Sequence, residues 1–143
     1  MSRAQETKRE DLLASLTGFE LLAGIIGNAR KVDQFSSEAL YDLIEELKKK
    51  YPRALGYISV RRIGDLRESE EIEQYMEFLR MGKILLSPMP NPVVQFYRVS
   101  DASRKSLLHD LGRRRVSEEQ MGILKDLSQR FEEFAGSTKA GDR

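Results

Sequence analysis

A chain of 143 residues and 16.4 kDa holds about one domain's worth of sequence. Its 24 Lys and Arg against 23 Asp and Glu leave a formal net charge of +1, which excludes a polybasic chain that holds nucleic acid by net charge alone. Hydrophobic residues at 40% exclude a fully disordered chain, and the absence of cysteine excludes a disulfide scaffold, a thiolate metal site and a cysteine nucleophile.

One histidine, His109, argues against a multi-histidine metal site or a triad. No Gly-rich phosphate loop, nucleophile elbow or metal-ligand spacing is present, so an enzyme is not expected, nor a cofactor or metal. The longest apolar run, Leu21 to Ile26, is far short of the roughly 20 residues of a membrane span. The polar, mixed-charge N-terminus resembles neither a signal nor a transit peptide. A soluble cytoplasmic protein is expected, folded as one domain over 1–143, with frayed ends at 1–8 and 137–143.

The apolar spacing predicts a first helix over 8–28. Its apolar residues spill over two sides, so it must be buried on two sides, and part of that burial is expected from a partner subunit. Gly18, Gly24 and Gly27 suit either a close helix approach or local packing. A second helix starts at Ser36 or Ser37, carries Leu40, Leu43, Ile44 and Leu47 inward, and ends in Lys48, Lys49 and Lys50 before Pro52. Tyr57 and Ile58 read as extended. Ser59 is expected to cap a short third helix to about residue 67, and Ser69 a fourth to 81, ended by a left-handed Gly82. Two β-rich runs, 83–87 and 93–99, flank a tip at 88–92 that holds three prolines and predict a hairpin. A fifth helix follows Ser100 or Asp101 and stops at Gly112. The last starts at the Ser117–Gln120 capping box and carries an apolar stripe over 121–134 to Gly136.

The stretch from Ile63 to Ile72, followed by Tyr75, Phe78 and Met81-Gly82-Lys83-Ile84, looks like a helix-turn-helix running into a wing. Val93 to Leu108 looks like the last wing strand entering a following helix. In this order of elements the chain resembles the MarR family of dimeric regulators. That resemblance implies a mainly α fold with a small β-hairpin. A winged helix-turn-helix core over 37–99 would lie between helical dimerisation elements at 8–28 and 101–136. The family's Asp-x-Arg in the wing is absent here. With the two-sided first helix and the last stripe, the resemblance implies a homodimer through Leu16, Phe19, Leu22, Ile26, Leu107, Leu111, Leu124, Leu127 and Phe131.

Double-stranded DNA is the partner the resemblance implies. Phosphates are held by Lys and Arg, and bases are read by amides and guanidiniums. The candidates are Arg61, Arg62 and Arg67 on the expected third helix, Gln74 on the fourth, and Lys83 and Arg98 at the hairpin. The fourth helix itself carries Glu70, Glu71, Glu73 and Glu77 against Arg80 alone, a poor face for a polyanion. Two functions follow. One is a dimeric DNA-binding regulator. The other is a protein-interaction module of winged-helix type that uses the acidic helix and the proline-rich tip.

Overall fold

The computed structural model describes residues 2–86 and 96–141, with side chains as far as 136. The proline-rich tip lies outside the described residues. Among them the chain is mostly helical with a small antiparallel sheet. No described helix is long and apolar enough to cross a membrane.

The expected first helix is two. α1 (Arg3–Ala14) starts two residues into the chain, on a capping box in which Ser2 and Gln5 exchange hydrogen bonds of 3.1 and 3.2 Å. α2 (Gly18–Asn28) starts on a second box, Thr17 with Glu20, and this cap breaks the run at 15–17. β1 (Gln34–Ser36) follows, and its last residue Ser36 caps α3 (Ser37–Lys50). Pro52 does not merely stop α3. It opens α4 (Pro52–Leu55), a single turn whose first N–H would be unpaired in any case. Tyr57 and Ile58 form no strand, and Ile58 is buried.

The expected third helix is instead a β-hairpin, β2 (Arg61–Ile63) and β3 (Leu66–Glu68), with Arg61 opposite Glu68 and Ile63 opposite Leu66. Gly64 turns it at φ +63°, a conformation that costs an L side chain energy. α5 (Glu70–Met81) starts at Ser69 as expected. Gly82 is not left-handed, since its φ is −79°; the left-handed residue is its neighbour Lys83, at φ +63°. β4 (Leu85–Leu86) and β5 (Phe96–Val99) pair antiparallel, and β1 pairs on the other side of β5, giving the order β1-β5-β4. α6 (Asp101–Arg113) and α7 (Glu118–Gly141) close the chain. α7 begins on the reciprocal Ser117–Gln120 bonds and runs past Gly136.

The core sits where α2 packs against α6 and α7 while α3 packs on α7. A Cβ built on Gly24 would meet Leu124 of α7 at 2.5 Å, and one on Gly27 would meet Leu108 of α6 at 3.0 Å. The glycines therefore bring helices of the same chain together. Phe131 links this bundle to the sheet, with its ring centroid 5.1 Å from that of Phe35, which in turn lies 5.5 Å from Tyr97.

The second apolar side of α2 is thus covered from within. Leu16, Leu22, Ile26, Leu107, Leu111, Leu124, Leu127 and Phe131 are all buried in the single chain, and Phe19 is half-buried. These candidate dimer contacts are core residues of one protomer, because α6 and α7 fold back onto α2.

Candidate interaction surface

α5 is amphipathic. Ser69 Oγ accepts the Ile72 N–H at 3.3 Å, and the Ser69 N–H donates to the Tyr41 hydroxyl at 3.2 Å, so the helix start is pinned to α3. Ile72, Met76 and Leu79 are buried. The opposite face presents Glu70, Glu73, Gln74 and Glu77, followed by Phe78 and Met81, which are 64% and 74% exposed. The Phe78 ring meets Phe19 edge-on at 5.5 Å, and the Arg114 guanidinium covers Phe19 at 4.7 Å. This leaves a carboxylate row beside a protruding apolar end, in a shallow groove that also reaches Tyr97 and Arg80.

The acids on this helix are not equivalent. Glu71 accepts the Ser59 N–H at 2.6 Å, and Glu77 pairs with Arg80. Glu73 has no ion pair among the described residues. Burial first, then the charges of Glu68 and Glu70, push its pKa above the ordinary glutamate value.

Three of the four arginines expected to meet DNA pair with carboxylates of the chain, Arg67 nearly buried and Arg61 and Arg62 at the exposed surface. Arg67 is 10% exposed and binds Asp42 at 2.9 Å, Glu45 at 2.6 Å and Glu38. Arg62 reaches the same Glu45 at 3.2 Å, and Arg61 pairs with Glu68 across the hairpin. Glu38, Asp42 and Glu45 share the outer face of α3, so this network fastens the hairpin to that helix. Burial alone would raise the Glu45 pKa, but the hydrogen bonds and charges of Arg67 and Arg62 outweigh it and hold it below the ordinary value. Gln74, Lys83 and Arg98 are exposed, and neither Lys83 nor Arg98 has an ion pair among the described residues. Arg98 stands on the outer face of β5 between Gln34 and Leu86. His109 is exposed on α6.

Two features carried no sequence signal. Arg104 is buried and donates to the carbonyls of Val32, at 2.5 Å, and Val99, at 3.5 Å. It also donates to the carboxylates of Asp33, at 2.8 Å, and Asp101, at 2.6 Å. Three of these four partners lie far from it or on another element, so no local motif announces the site. The second is a partly open cavity of about 180 Å³ lined by the hairpin, α3, α5 and β5. It exists only because 61–68 is a hairpin. Among the described residues no group of three or more acids and imidazoles is arranged to hold a metal ion.

Comparison with protein-family models, with curated proteins and with solved structures finds no match.

Proposed function

We propose that this chain is a non-enzymatic interaction module of winged-helix type, which presents α5 to a basic, partly apolar segment of another protein. The order α2-β1-α3-α5-β4-β5, with the first strand paired to the last, supports the winged-helix reading. In that reading α3 takes the place expected for 59–67, and residues 51–69 are an insertion ahead of the exposed helix. One observation carries the choice of partner: Glu70, Glu73 and Glu77 line the solvent face of α5 beside Phe78 and Met81, while Arg61, Arg62 and Arg67 are held by carboxylates of the chain itself. An acidic row ending in apolar side chains complements a basic amphipathic helix, not a phosphate backbone.

The DNA-binding regulator is the competing proposal. It rests on Lys83 and Arg98, exposed beside the hairpin, and on Gln74, whose amide suits an adenine edge. One triple variant, Glu70, Glu73 and Glu77 to Gln, separates the two. The expected result is that wild-type protein binds a Lys- and Leu-rich amphipathic peptide but not mixed-sequence duplex DNA at about 50 mM salt, where phosphate contacts are strongest. The triple variant should lose the peptide. Tight DNA binding by the wild type with a steep salt slope, strengthened in the variant, would establish the regulator instead.

A further inference from the structure

The cavity behind α5 has a composition that selects a ligand. Its apolar wall is Leu40, Ile72 and Met76, and its lip is Ile63 and Leu66 of the hairpin. Those two lip residues face each other across the hairpin and stand 57% and 38% exposed at the cavity mouth. The space measures about 180 Å³, opens to solvent at this lip and has a lining of mixed polarity, so it has room for one ring with a polar arm directed outward.

The polar side of the cavity fixes the sign of the ligand's charge. Tyr41, Tyr97, Arg67, Glu68 and Glu73 all reach it. Arg67 has no capacity for an anion, because three carboxylates already occupy its fork. Glu68 is held by Arg61. Glu73 alone has no cation of its own among the described residues. Among the residues that line the site, Arg67 stands against Glu68 and Glu73, an excess of one negative charge. The phenols stay neutral and offer oxygen acceptors and ring faces; burial pushes Tyr41 up to about 12 and raises Tyr97.

We propose that this cavity binds a small organic cation, a primary amine bearing one ring-sized apolar group. The ammonium sits at Glu73 beside the tyrosine oxygens, and the apolar group lies among Leu40, Ile72 and Met76. An ammonium there gives Glu73 a countercharge and lies against the faces of the neutral tyrosine rings.

Three probes of nearly equal size test it: phenethylamine, 2-phenylethanol and phenylacetate. Each is titrated at pH 7 while the Met76 methyl resonance is followed. The amine should bind about tenfold or more tightly than the alcohol, and the carboxylate most weakly. Glu73→Gln should bring the amine down to the alcohol's affinity and leave the alcohol unchanged. Leu66→Trp, at the exposed lip, should block all three without loss of the thermal transition. Equal binding of amine and alcohol, preference for phenylacetate, or no probe saturating the Met76 signal would each overturn the proposal. The wild-type titration decides the outcome even where a variant fails to fold. The readout is also independent of the peptide and DNA titrations that test the interaction face.

Discussion

At the scale of single residues, charge placement decides what this surface can do. Arg67 is the clearest case. Its guanidinium is nearly buried, with Nη1 meeting Asp42 and Glu45 while Nη2 donates to Glu38, an arrangement that suits a planar fork. Arg67→Met should destabilise the fold by about 2–3 kcal/mol, because it leaves three neighbouring carboxylates uncompensated. Arg67→Lys should recover less than half of that loss. Urea denaturation of the two variants measures both. Glu73 is the opposite case, an acid whose pKa is raised by burial and by Glu68 and Glu70. Its contribution to stability is fully present below the ordinary value of 4.5 and is lost as pH rises through the higher folded-state value. Glu73→Gln should therefore melt about 1 °C higher than wild type at pH 7, a small gain because the carboxylate is partly solvated, and the difference should vanish near pH 4. Glu45, Glu46 and Asp101 run the other way. Arginine partners hold their pKa values down, so their contribution is present above the ordinary carboxylate values and disappears as pH falls through the depressed ones.

At the scale of elements, short polar caps and turns outweigh the hydrophobic periodicity. α2 begins at Gly18 because Thr17 and Glu20 cap it, and because the Tyr75 ring occupies the space a side chain would need. A Cβ on Gly18 would lie 2.4 Å from the Tyr75 ring. Gly18→Ala should thus destabilise by about 1–3 kcal/mol, although alanine is the better helix former, and a thermal melt will show the sign. α3, α5, α6 and the start of α7 were legible from their capping serines and single apolar stripes. The split of the first helix was also written in the chain, as Ser2-x-x-Gln5 and Thr17-x-x-Glu20, but the apolar run across 12–26 has the 3.6-residue period on both sides of the break and masks it. The hairpin at 61–68 was the hardest element. Its strands are three residues long and mostly exposed, so no alternation of burial marks them, and Ser59 imitates a helix cap. The only cue is Gly64-Asp65 between Ile63 and Leu66, a two-residue turn signal. The Arg67 network and the cavity share that weak signal, since both depend on the hairpin folding over α3.

At the scale of the whole molecule, the fold is decided by where the apolar surface goes. A first helix apolar on two sides calls for a second subunit if the chain is imagined as an open set of helices. α6 and α7 instead return to cover it, with Gly24 and Gly27 letting them close in. Long-range polar contacts tie the ends of the chain to its middle: Arg9 reaches Asp126 and the Tyr51 hydroxyl, each at 3.2 Å, and Arg130 reaches Glu46 at 2.8 Å. Exposed pairs of this kind add little to stability but fix how α7 lies along α1 and α3. The energy is in the buried stripe. Leu124 and Phe131 are completely buried and contact α2 and the sheet through the same helix. Leu124→Glu or Phe131→Glu would place an unpaired carboxylate in that core, at a cost well above about 3–5 kcal/mol, which is a large part of the total stability of a domain this size. The expected outcome is a chain that loses its cooperative thermal transition. A stripe that instead served as the contact between two subunits would give a folded, half-mass species after the same substitutions. Circular dichroism and light scattering on the one variant distinguish unfolding from dissociation, and a well-folded Phe131→Glu protein would show that α7 does not hold the core as its burial implies.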